Sequence, residues 1–125
     1  MAISSATVQL SATGQVVVTN TDTDETEDLA YSGAKTLEQV RVVNPNDAGV
    51  YLQLWNLDDV SNVTVGTTEP HMVLPCPAET TQTYVIPAGI VFGTGIIMAC
   101  TTNLAAPTYS PGAPASAVTV DLLLG

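Results

Sequence analysis

The sequence predicts an all-β chain: an antiparallel β-sandwich, or a jelly-roll-like variant of one, with an N-terminal arm. Three observations predict it. Val, Ile and Thr recur throughout, yet no window sustains apolar residues at the three-and-four spacing of a helix. Short apolar runs alternate in twos, as a strand with one buried face requires. Gly, Pro and Asn separate those runs at short intervals, as turns do. With 125 residues the chain fits one domain. That length buries about two thirds of the unfolded chain's surface, enough for a core without staples.

The first part, residues 1–36, holds two expected strands, in "ATVQL" and "GQVVVTN", followed by the acidic run "TDTDETEDL". It is either the first strands of the sandwich or an arm that adds to a neighbour's sheet edge. The acidic run has the oxygen density of a calcium loop. An EF-hand starting at Asp22 would need Gly and Glu where Glu27 and Gly33 stand, so that pattern fails. A solvated acidic loop or arm, one that docks on a basic partner, or a calcium site of another kind remains.

Residues 37–125 form the expected sandwich. "EQVRVVNPNDAGVYLQLWN" reads as a β-hairpin: Val40 and Val42 alternate with Arg41 and Val43, and "NPNDAG" supplies turn residues. Leu52 and Leu54 then alternate with Tyr51, Gln53 and Trp55. Further strands are expected near Asn62–Thr67, His71–Leu74, Thr83–Ile86, Ile96–Thr101 and Ala117–Leu124. "TGIIMACTT" is apolar on both faces, so it is central in a sandwich or covered by a neighbouring subunit. "LAAPTYSPGAPASA", Leu104–Ala117, is a long Pro-rich connection of the kind that often makes contacts.

Charge narrows the function. Only 11% of residues are charged, against roughly 25% in ordinary domains. Hydrophobic residues make up 46% of the chain. Between Glu79 and Asp121 no Asp, Glu, Lys or Arg occurs. A surface so poor in charge is expected to meet other subunits, where charge is depleted. Lys35 and Arg41 are the only basic side chains, and the net charge is −10. Nucleic acid and anionic lipid both require clustered Lys and Arg, so neither is an expected partner. "MAISSATVQLSATG" has neither a cationic start nor a continuous apolar run, so no secretion signal is expected. "YVIPAGIVFGTGIIMAC" is broken by Pro87, Gly89, Gly93 and Gly95 and is short of the roughly 20 residues of a spanning helix. Synthesis in a cytoplasm is therefore expected, and with it free rather than bridged Cys76 and Cys100.

No stretch carries a recognisable catalytic motif. "HMVLPC" places His71 five residues before Cys76, an odd spacing that puts them on opposite faces of a strand. A second His and a Cys-x-x-Cys are both missing for zinc. Asp58 and Asp59 are adjacent and read as a turn rather than as two carboxylates flanking a glycosidic bond. Gly-x-Ser-x-Gly, Walker and dinucleotide patterns are also missing. The chain is therefore expected to be no enzyme, with no catalytic residue, metal or cofactor. Tyr51, Gln53 and Trp55 alternate onto one strand face. That face either stacks a sugar, packs inside the sandwich or packs against another protomer.

The segment "VYLQLWN…VTVGTTEPHMVLPCPA…YVIPAGIVFGTGIIMACTT" resembles a family of small structural proteins of tailed bacteriophages. The matching residues are Val50–Asn56, Val63–Pro70, Pro75–Ala78 and Gly89–Thr102, within roughly 38–124. Those relatives often carry a "YLQLFN"-like strand, a "VTxGTTxP" turn, a Pro-Ala step and a "GIxFxTGIxxAxTT" strand. Here Trp55 stands where Phe is usual, and Cys76 falls in a step that usually lacks it.

The resemblance implies a β-sandwich virion protein on the outer capsid surface. Its expected role is that of a capsid decoration (cement) protein, a homotrimer that binds across major capsid protein subunits and stabilises the head. A tail or head-fibre module, or a carbohydrate-binding adhesion module, is the alternative. For the decoration reading the expected contact residues are Val16, Val17 and Val18, with Asp22, Asp24, Glu25, Glu27 and Asp28.

Overall fold

The computed structural model describes residues 3–7, 15–103 and 112–125, with residues 4–7 as backbone only. The described residues form nine strands: β1 (Ile3–Thr7), β2 (Val16–Thr23), β3 (Asp28–Ser32), β4 (Lys35–Asn44), β5 (Val50–Trp55), β6 (Met72–Cys76), β7 (Thr80–Phe92), β8 (Gly95–Thr101) and β9 (Val118–Leu124). They make two antiparallel sheets, in the orders β1-β2-β9-β4-β7 and β3-β8-β5-β6. This is the expected β-sandwich. After β2 every link crosses from one sheet to the other except β5 to β6, the jelly-roll-like habit.

Alternation builds the core. β9 buries Val118, Val120, Leu122 and Leu124 and leaves Thr119, Asp121 and Leu123 half-buried outside. β2, β4 and β5 contribute Val16, Val18, Leu37, Val40, Val42, Leu52 and Leu54 to the same cluster. β2 lies between β1 and β9, so the strand read from "GQVVVTN" is built into the five-stranded sheet. Val8, Gln9 and Leu10 of "ATVQL" and Leu104–Pro111 of the Pro-rich connection lie outside the described residues.

The expected hairpin over 40–54 is not one. β4 pairs with β7 and β9, while β5 pairs with β6 and β8. "NPNDAG" is an arch between sheets, so Val40 and Val42 face Leu52 and Leu54 across the core rather than beside them. Asn44 holds the arch: its Nδ2 donates to the carbonyls of Ala48 (2.9 Å) and Pro77 (3.0 Å), and its Oδ1 accepts from the Asn46 amide (3.0 Å). Turn residues reverse a chain in either arrangement, and alternation is identical in both.

The strand expected at 62–67 is also absent. Asp59 caps a short 3-10 helix, Val60–Asn62, and Gly66 (φ 93) turns the chain onward. Val63 and Val65 serve as plugs rather than strand residues, packing on Trp55, Ile97 and Ala99. That cover explains why β8 is buried along its whole length: one face meets the core and the other meets the chain's own 56–71 segment.

β7 runs far beyond the expected 83–86. Its pairing with β4 jumps from Gln39↔Val85 to Leu37↔Ile90, so Ile86–Gly89 bulge opposite Glu38. Ala88 (φ 65) and Gly89 (φ 72) absorb the bend. No helix among the described residues is long and apolar enough to cross a membrane.

Candidate functional site

β2 and β4 both run antiparallel to β9, and Asn44 pairs with Thr80 at the start of β7. The links 24–27, 45–49 and 77–79 therefore meet at one end of the sandwich. Backbone bonds tie them together: Glu79 N donates to Asn46 O (2.9 Å) and Cys100 N to Asp24 O (2.7 Å). Asn46 Nδ2 donates to Ser116 O (3.0 Å), bringing in the approach to β9.

This end gathers Asp22, Asp24, Glu25, Glu27, Asp28, Asp47 and Glu79, out of twelve acidic residues in the chain. Neither basic residue is there, since Lys35 opens β4 at the other end and Arg41 lies mid-strand. Asp22, Asp24 and Asp28 line, with Thr26, a cavity of about 180 Å³. Asp28 is buried and accepts from Asn20 Nδ2 (2.9 Å). Burial raises its pKa above the usual carboxylate range, the Asn20 bond opposes this, and Asp24 and Asp22 add to the rise. Asp24 Oδ1 accepts from Thr26 N (2.9 Å), holding the turn. Among the described residues no group of three or more His, Cys, Asp or Glu could hold a metal ion.

The valines singled out with these acids divide. Val16 and Val18 are buried in the core, which leaves only Val17 on the outer face of the sheet. At the centre of that face Arg41 Nη1 lies 3.1 Å from Asp121 Oδ2, and Thr19 Oγ1 donates to Asp121 Oδ1 (2.7 Å). An exposed pair of this kind adds at most about 1 kcal/mol of stability, but it leaves the centre of the face electrically balanced.

Beyond β7 the five-stranded sheet ends. β7 carries no charged residue, and Val85 and Val91 are 68% and 67% exposed. Sequence reasoning found the charge gap after Glu79 but not these exposed valines. It also missed Asp47 and Glu79 as members of the acidic end. Only the order of strands brings them to Asp24.

The face of Tyr51, Gln53 and Trp55 is mostly closed. Trp55 is 1% exposed beneath Val63, and its Nε1 donates to Thr68 O (3.0 Å). Gln53 Nε2 donates to Thr101 Oγ1 (2.9 Å). A sugar needs an open ring face, and Trp55 offers none. Tyr51 instead lines a groove of about 520 Å³ with Pro75, Pro77, Gln82 and Tyr84.

His71 and Cys76 lie at opposite ends of β6, about 16 Å apart at strand spacing. His71 packs edge-on against Phe92, centroids 4.9 Å apart. Cys76 and Cys100 are free and buried. They flank β5 on β6 and β8, opposite Val50 and Leu52, two strand spacings or about 10 Å apart and beyond disulfide reach. Burial pushes the Cys100 thiol up to about 12, with Cys76 and Asp24 adding to it, and burial raises Cys76 as well. Nucleophilic attack needs the thiolate, which neither site favours at neutral pH. Asp59 spends its Oδ1 on Ser61 N (3.0 Å) and Ser61 Oγ (2.7 Å) as a cap, and Asp58 is exposed beside it. Compared with protein-family models, with curated proteins and with solved structures, the chain matches none.

Proposed function

We propose that this chain is a structural virion protein of a tailed phage, a decoration (cement) protein that works without catalysis. In this reading it is made in the host cytoplasm and sits on the outer surface of the head as a homo-oligomer bound across major capsid protein subunits. The observation that carries the reading is the partition of charge on one small sandwich. One end concentrates carboxylates from three links, while β7 and the centre of the outer sheet face carry no net charge. The acidic end fits a basic protein surface, and the uncharged surface fits another subunit. Many such contacts on one shell hold each copy by avidity even where each is weak. The trimer that the resemblance implies is one form of this assembly.

The test is to mix the purified protein with heads of its phage that lack it. Co-sedimentation with the heads, and a higher temperature of DNA release from them, is expected. No co-sedimentation at low salt would sink the reading. The fibre or carbohydrate-binding alternative loses support from the burial of Trp55, and only the Tyr51–Tyr84 groove is left to serve it.

A further inference from the structure

We propose that the free edge of β7, over Thr80–Val85, is where two copies of this chain join, each adding a strand to the other's five-stranded sheet. The inference rests on the self-associating part of the function proposed above and deepens it by naming the surface and its two-fold symmetry.

β7 ends its sheet, and no described strand pairs with its outer edge. Natural edges of this kind are blunted by charge, by Pro or by a bulge. Over Thr80–Val85 β7 has none of these, and its blunting features begin only with the bulge at Ile86 and Pro87 after it. These six residues match the usual strand of about five or six, so the length is sufficient for pairing. Val85 stands 68% exposed on this stretch.

Charge selects the occupant. Two chains of net charge −10 repel wherever acidic surface meets acidic surface. This strand carries no charge, and the face beside it is balanced by Arg41 and Asp121. A basic partner would gain nothing here, whereas a second copy avoids its main penalty. Antiparallel pairing centred on Thr83 sets Thr81 against the partner's Val85 and Gln82 against the partner's Tyr84, with Thr83 meeting its own copy. Glu79 then falls opposite the bulge at the partner's Pro87. The two Glu79 carboxylates are about eight residues, or roughly 27 Å, apart, beyond a screening length of about 8 Å at physiological salt.

The test is solution mass by light scattering for three proteins. These are the wild type, Thr81→Glu/Val85→Glu on the edge, and Asn62→Glu/Thr67→Glu as an equally charged control on the far loop. Thr83 is left unchanged because it pairs with Arg41. The wild type and the control are expected at an even multiple of the 12.9 kDa chain. The edge variant is expected to fall to half the wild-type mass, with association across the edge weakened about tenfold by like charges set across the strands. An oligomer that the edge variant leaves intact, or an odd-numbered wild type, overturns the β7 contact while self-association stands. A wild type that is a single chain at every concentration overturns both, and shell binding is then judged by its own assay. If the edge variant fails to fold, hydrogen exchange on the wild type decides instead. Protection over 80–85 that rises with concentration supports the contact, and concentration-independent exchange overturns it.

Discussion

Asp28 is the residue on which the fold and the acidic surface conflict. Its carboxyl is buried beside Asn20, and burial raises its pKa above the ordinary 3.8. A carboxyl raised in this way keeps its proton in the fold at pH values where the unfolded chain has released it. Stability is therefore lost as pH rises from 3.8 through the native value, and the full cost of the buried charge is present above that window. Asp28→Asn removes the charge but keeps an oxygen that accepts from Asn20. Urea unfolding at pH 4 and pH 7 is expected to show the variant gaining on the wild type as pH rises. A variant that instead loses ground between those values would sink this account. The sequence shows Asp28 as one more acid in "TDTDETEDL". That it alone turns inward follows from strand parity, since β3 begins there and Ala30 shares its buried side.

Among the elements, β7 and its bulge carry the clearest conflict between propensity and geometry. "YVIPAGIVF" is interrupted by Pro87 and Gly89, so the sequence predicts separate strands and turns. The structure keeps a single paired strand by looping Ile86–Gly89 out against Glu38. Gly89 makes this possible, with φ at 72°, a region that costs an L-residue about 1–2 kcal/mol. A Cβ there would also stand 2.2 Å from Thr36 Cγ2 and 3.2 Å from Leu37 O. Gly89→Ala is expected to lose about 2–3 kcal/mol, read as a lower urea midpoint. Gly93→Ala meets nothing within 4 Å and is expected to change stability by less than about 0.5 kcal/mol. Equal effects at the two positions would mean the bulge is not as described. Elsewhere, the strands in "IIMACT" and "AVTVDLLL" were legible because alternation and composition agree. The arch at 45–49 and the plug at Val63 were not, because partner choice is a tertiary matter that local pattern does not encode.

For the molecule as a whole, the acidic run was legible but its convergence with Asp47 and Glu79 was not, and that convergence gives salt two opposite effects. Carboxylates from three links crowd one end of a chain of net charge −10, with no basic side chain among them. Their mutual repulsion weakens the fold, and salt screens it: the screening length falls from about 30 Å at 0.01 M to about 8 Å at 0.15 M. The thermal midpoint is therefore expected to rise by a few degrees over that range, since about 1 kcal/mol corresponds to several degrees in a domain of this size. If the same end docks onto a basic surface, as proposed, that docking weakens over the same range, because salt screens attraction as well as repulsion. Asp47→Asn/Glu79→Gln should flatten both slopes together, since it removes charge from the end without touching the core. Scanning calorimetry and head co-sedimentation across the salt series measure the two effects separately. A midpoint that falls with salt would show that repulsion at this end is not a term in stability. Docking that strengthens with salt would mean that the partner is held by the uncharged surface instead, where burial of apolar area, not charge, supplies the attraction.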